Sequence, residues 1–261
     1  MTAMFERLQK PFLTVETGEA YQPVRIAYQL LQPEKLVSAF EDMKCLAYKQ
    51  QHGNGWDLYW SDELDDLHFE SLDSYKKPAN KPLRLGGFII KNSTLYLNLP
   101  SFKRACLLVP KLHSLLDSSI ISIQKADFIN KVFGLGERLP HGFAEIYDDA
   151  ELDKLVRERI HDYDIIVERC EHAATAEEAF KILADYTHAE SRKRLPFAER
   201  YEFQEMEGNP EDIYLGFYIF LRSRELVAIR RWFGEAGFTL GDAMDETVEE
   251  VFGGMNIDII E

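Results

Sequence analysis

The densest cationic run in the chain is Arg192-Lys193-Arg194, with Arg200 close behind and Arg222, Arg224, Arg230 and Arg231 further on. Guanidinium groups present flat, bidentate donor edges, so a cluster of them suits the grip of a phosphate or carboxylate. In an enzyme on a phosphorylated or nucleotide substrate, such a grip would hold the anion while a neighbour, His188 or Glu190, moves a proton. The same cations also have a structural use as counter-charges, because this half of the chain is rich in acids. Three adjacent cations are harder to neutralise internally than isolated ones, which leaves Arg192, Lys193 and Arg194 as the anion-binding candidates.

The other clusters point to structure. Ser61 to Glu70 packs Asp62, Glu63, Asp65, Asp66 and Glu70 around His68. Oxygen ligands and an imidazole could hold a divalent ion, but the run lacks the glycine at the sharp turn of a calcium loop and reads as a solvated segment. No metal and no cofactor are expected. Glu168 with His172, and His188 with Arg192, share helix faces without forming a zinc-type H-E-x-x-H pattern. Cys45, Cys106 and Cys170 are widely spaced and unpaired in the sequence, as expected of small buried residues in a reducing compartment. Glu168 and Glu171 beside Cys170 would raise its thiol pKa. Gly134-Leu135-Gly136, with Gly142 beyond, lacks the spacing of a phosphate loop; Asp127 to Phe133 reads as a helix that Gly134 terminates.

Trp56, Tyr59 and Trp60 invite comparison with base-stacking platforms. The block Arg84 to Lys91 lacks the alternating aromatics that such RNA-recognition sheets carry, so the aromatics are expected to pair across strands toward a core. RNA binding remains the weakest of three functional readings.

Charge separates the chain into unlike halves. Residues 1–150 hold 17 Lys+Arg against 19 Asp+Glu, whereas residues 151–261 hold 13 against 26, out of a net −15. From Trp232 onward there are eight acids and no Lys or Arg. This balance opposes nucleic-acid binding and favours a basic partner. Asp242, Asp245, Glu246, Glu249 and Glu250 are the candidates for an acidic partner-facing surface.

The elements that must position these residues follow from periodicity. Val24 onward reads as a strand, and Pro33 opens a helix with Leu36, Val37, Phe40 and Met43 on one stripe. Asn54-Gly55 between apolar runs predicts a hairpin, with Trp56, Leu58 and Trp60 on one face. Leu83 to Lys91 and Thr94 to Leu99 predict a second hairpin turning at Asn92-Ser93. Ser101 caps a helix carrying Ala105, Leu108, Leu112 and Leu115, which Pro110 should kink, and Ile120 to Ile123 reads as a further strand. The two β-α-β passages predict an α+β fold: a ferredoxin-like, split βαβ antiparallel sheet with helices over residues 1–148. Residues 149–261 are expected to form an acidic, mainly helical domain, with Ile213 to Leu221 either strand or helix. That nine-residue apolar run is too short to span a bilayer, and the N-terminus lacks a secretory pattern, so the expected location is cytoplasmic.

No catalytic constellation emerges from these residues. The leading reading is a noncatalytic binding or regulatory protein whose acidic C-terminal half meets a basic protein, for example as an inhibitor or immunity-type protein.

Overall fold

The computed structural model describes residues 11–49, 55–69, 82–139, 146–203 and 209–253. Among them, seven strands form one sheet, accompanied by six α-helices. The first stretch holds β1 (Val24–Leu30), α1 (Pro33–Asp42), β2 (Leu46–Tyr48) and β3 (Gly55–Tyr59). It continues through β4 (Arg84–Lys91), β5 (Thr94–Leu99), α2 (Phe102–Leu115) and β6 (Ile121–Ile129). The rest is α3 (Asp149–Glu171), α4 (Ala176–Arg192), β7 (Ala198–Glu202), α5 (Pro210–Trp232) and α6 (Leu240–Phe252).

The sheet runs β2-β3-β4-β5-β1-β6-β7, with every neighbouring pair antiparallel. Strands separated by an odd number of neighbours therefore run parallel. α2 joins β5 to β6, which flank β1, and α1 joins β1 to β2 at the sheet edge; both are β-α-β passages with strands inserted between their ends.

Local chemistry explains the punctuation. Pro33 opens α1, where its missing N–H costs nothing. The β4–β5 hairpin turns on Asn92 and Ser93, both left-handed at φ 50° and 62°, the twist that two-residue hairpins require. Ser101 is buried and accepts the Arg104 N–H at 3.1 Å, capping α2, which continues through Pro110. β2 and β3 pair as the alternation around Asn54-Gly55 predicts, while the turn residues 50–54 lie outside the described residues.

One sheet face carries the main core. Val24, Ile26 and Tyr28 of β1, Leu95, Leu97 and Leu99 of β5, and Trp56 and Leu58 of β3 meet Leu36 and Phe40 of α1, Leu108 and Leu112 of α2, and Phe217 and Leu221 of α5. Each such side chain contributes about 1.5–3 kcal/mol by leaving water. Trp56 packs edge-on against Phe40 at 5.0 Å, so it is a core aromatic.

Residues 149–261 are mainly helical, and Ile213–Leu221 lies within α5. Sheet and core draw on residues from either side of position 148, since β7 pairs with β6 and Phe203 joins Phe217 and Leu221 in the main core. One expectation is overturned: Asp127 to Phe133 is not a helix ending at Gly134. β6 runs on to Ile129, and Gly134 instead bridges to Phe12. The polar Lys125 and Asp127 hide the strand's alternation, yet Ala126 and Phe128 face the core while Asp127 is buried on the other side.

No helix among the described residues is long and apolar enough to cross a membrane.

Candidate functional site

The side of the sheet away from the main core is closed over β6 and β7 by the first turns of α3. Asp148 caps this helix, accepting the N–H groups of Ala150 and Glu151 at 2.9 and 3.2 Å. One turn of helix then aims Asp149 and Asp153 at two arginines from the sheet. Arg25 of β1 donates through Nη2 to Asp127 and to Asp149, each at 2.6 Å. Arg200 of β7 donates through Nε to the other Asp127 oxygen at 2.6 Å, through Nη2 to Asp149 at 3.1 Å, and through Nη1 to Asp153. Asp127 and Arg200 are almost completely buried, and the Arg25 guanidinium lies 4.9 Å from the Tyr147 ring.

Burial raises the Asp149 pKa, but Arg25 and Arg200 pull harder and it ends below its ordinary value. Both Asp127 oxygens are engaged by guanidinium groups, so this carboxylate is committed as a clamp between β1, β6, β7 and α3.

A second polar contact lies half-buried against the main core. His113 Nδ1 of α2 meets the Tyr214 hydroxyl of α5, and its ring lies 5.5 Å from that of Tyr28. His113 Nε2 and the Tyr28 hydroxyl have no hydrogen-bond partner among the described residues. Burial pulls the imidazole down to about 4, which leaves it neutral at pH 7.

The residues singled out from the sequence do not converge. Arg192, Lys193 and Arg194 are all exposed at the C-terminal end of α4, where the helix dipole favours cations; Lys193 pairs with Glu190. Arg200 is drawn away into the buried clamp. Of the acidic candidates on α6, Asp242 completes a capping box with Thr239, Glu246 pairs with Arg230 at 3.1 Å, and Glu250 pairs with Arg222 at 3.2 Å. Asp245 and Glu249 are exposed. Arg224 pairs with Glu199 at 2.8 Å, and Arg231 donates to the Phe238 carbonyl. Intramolecular pairing thus absorbs most of the arginines.

Around His68, Glu63 accepts the Cys45 N–H at 2.9 Å and Asp66 pairs with Lys111 at 2.9 Å, while Glu70 lies outside the described residues. Among the described residues no group of three or more His, Cys, Asp and Glu is placed to hold a metal ion. The His172 ring bonds the Glu168 carbonyl rather than its carboxylate. Burial, helped by Glu63, pushes the Cys45 thiol up to about 12, and burial also raises Cys106.

What periodicity alone missed is a surface. α3 and α4 are joined by four residues, 172–175, and so form an antiparallel hairpin. The Cys170 thiol of α3 contacts the Ala179 carbonyl of α4 at 3.5 Å, Tyr186 lies against Arg159 and Asp162, and the less exposed Ile166 and Ile182 mark the seam along the same faces. Past this seam, Ile160, Tyr163 and Val167 form one exposed stripe on α3, and Phe180 and Leu183 begin another on α4, with Phe180 73% exposed. Each stripe sits about a quarter turn beyond its seam in the chain direction at ~100° per residue. Reversing a helix reverses that sense of rotation, so in an antiparallel pair both stripes fall on the same side. The signal was present in the sequence as a second apolar stripe on each helix, more than a two-helix contact consumes.

Comparison of the chain with protein-family models, with curated proteins and with solved structures finds no match.

Proposed function

We propose that this chain is a noncatalytic binding protein whose C-terminal helices hold a basic, amphipathic segment of a partner protein. The observation that carries this reading is the pair of exposed apolar stripes on one side of the α3–α4 hairpin. An apolar strip framed by charge is the make-up of a protein interface, with a dry centre and a polar rim. Residues 149–192 hold 12 Asp+Glu against 6 Lys+Arg. On the outer border of the α3 stripe, Asp164, Glu168 and Glu171 stand against Arg157. Two parallel ridges with an acidic border fit a helix that has Leu-like anchors on one face and Lys or Arg on its flanks. Asp245 and Glu249 of α6 add to the same field, extending attraction over about 8 Å at physiological ionic strength.

The interleaved β-α-β passages support reading the sheet as a ferredoxin-like sandwich enlarged by a hairpin and by β7. On that reading the sheet is a rigid base from which the hairpin extends.

Calorimetric titration of the full chain with an amphipathic Leu-Lys peptide, and with a Leu-Glu peptide of the same pattern, tests the proposal. The Leu-Lys peptide should bind, more weakly as salt rises, and F180S together with Y163S should weaken it at least tenfold without altering the fold. Equal affinity for the Leu-Glu peptide, or binding indifferent to both substitutions, would refute it. A concentration-dependent dimer abolished by the same substitutions would make a second copy the occupant and would equally refute the basic partner.

A further inference from the structure

α3 covers only the β6–β7 end of the outer sheet face. Over β3, β4 and β5 that face opens into a cleft of about 860 Å³, walled on one side by Thr14, Val15, Glu16 and Tyr21. Strand alternation assigns the floor: Trp56, Phe88 and Leu97 point into the core, so Asp57, Gly87 and Asn98 point into the cleft.

The wall is pinned from beneath. Arg104 of α2, with 1% of its side chain exposed, donates to the Arg84 and Leu85 carbonyls at 3.0 Å each and to Thr17 Oγ1 at 3.0 Å. Its Nε and Glu19 Oε1 stand 3.9 Å apart, neither with a hydrogen-bond partner among the described residues. Burial lowers the Arg104 pKa while Glu19 and Glu16 oppose that, so the guanidinium is an embedded fixture tying the loop to β4.

Charge is concentrated at one end. Lys49 Nζ and Arg84 Nε both contact Asp57 Oδ1, at 2.8 and 2.6 Å. Two cations sharing one carboxylate leave a surplus of one positive charge. The Arg84 Nη groups make no hydrogen bond among the described residues; Nη2 lies over Gly87, 3.3 Å from where a Cβ would stand. A side chain at Gly87 would also come within 2.8 Å of the Trp56 carbonyl and 3.5 Å of Asp57 Oδ1, so glycine is what lets the Arg84 guanidinium and Asp57 lie close over the floor here. Gly55, also buried, pairs with Ile89, an exposed apolar side chain. Across the ladder from Gly87 stands Asn98, whose buried Oδ1 has no hydrogen-bond partner among the described residues.

From this arrangement we infer that the cleft binds a small planar monocarboxylate with a polar group at its far end. The carboxylate takes the free Nη edge of Arg84, with Lys49 alongside. The flat body lies beside the Arg84 guanidinium against Ile89 and Tyr21, and the far hydroxyl or amine meets the Asn98 carboxamide. At the Lys49–Arg84 end a single surplus charge matches a monoanion, Glu16 of the wall standing 3.4 Å from Arg104; a phosphate dianion would place excess negative charge beside Asp57.

The probe is 4-hydroxybenzoate, titrated into the full chain and followed by backbone amide NMR, with phenyl phosphate as the comparison. Saturable shifts should centre on Gly87, Ile89 and Asn98. R84Q and, separately, K49M should weaken binding at least tenfold, and N98A about three- to tenfold, with thermal melts confirming that the half-exposed Arg84 and Lys49 are not needed for folding. Absence of saturable shifts at those amides, unchanged affinity in both folded cation variants, or tighter binding of phenyl phosphate would overturn the assignment. The F180S and Y163S substitutions should leave this binding unchanged, which separates it from the helical surface.

Discussion

The first turns of α3 and its last turns differ in what they face. At the start, Asp149 and Asp153 meet Arg25 and Arg200, and Leu152 and Val156 are buried. Beyond Arg157 only Ile166 is fully buried, and Ile160, Tyr163, Ile165 and Val167 are exposed. The docked end is thus held by buried charge and the free end by a thin apolar seam. Along α3, then, charged side chains share the docking with Leu152 and Val156, while the apolar residues of the later turns are left largely outside.

The largest expected effect breaks the docked end. Asp127→Ala leaves Arg25 without one of its two carboxylate partners and Arg200 without one of its three, both still buried, and should cost about 3–5 kcal/mol of unfolding free energy. Chemical denaturation measures it directly. A loss under about 1 kcal/mol would mean that the clamp specifies geometry without net stabilisation.

A smaller effect tests the half-buried polar contact between α2 and α5. His113 titrates near 6.5 when unfolded and at about 4 when folded. Between those values the unfolded chain binds the extra proton, so the folded state is favoured fully above the unfolded pKa and loses that advantage as pH falls toward 4. Between pH 7 and pH 5 the wild type should lose about 1–2 kcal/mol that His113→Leu does not lose. Parallel pH dependence in the two proteins would show that the ring reaches solvent.

The smallest effect should stay within the free end. Thr175 caps α4, accepting the Glu178 N–H at 3.2 Å. Thr175→Ala should lower hydrogen-exchange protection in α4 by about 1 kcal/mol. Amides of β1 and β5 should keep theirs. A matching loss in the sheet would show that the hairpin and the sheet unfold as one unit.

Features carried by neighbouring residues were legible in the sequence: the Asn92-Ser93 turn, the Ser101 cap, Pro33 at the start of α1, and the helical content after residue 148. The clamp was not, because its partners are 102 and 73 residues apart and no local pattern marks them. β7, Ala-Glu-Arg-Tyr-Glu, reads as polar because Arg200 and Glu199 satisfy their charges only in the folded state. The same kind of pairing hides the role of the C-terminal acids. Glu246 and Glu250 look like a free acidic surface until Arg230 and Arg222 are seen beside them. Arg84, Lys49 and Asn98 carry no signal individually; the cleft exists only because β4, β5 and the residue after β2 come to one face.

β7 and α5 also set a clock for synthesis. By the time Ile129 is translated, β1 to β6 are complete, but the apolar surface that Phe217 and Leu221 will cover still lacks its lid. At ~5–20 residues per second, the interval before Leu221 is made lasts roughly 5–20 s. Throughout that interval the nascent chain carries an open hydrophobic sheet-helix layer, and β6 offers a bare edge awaiting its last strand. Chaperone engagement should therefore peak on ribosome-bound chains of intermediate length and fall once α5 has cleared the exit tunnel.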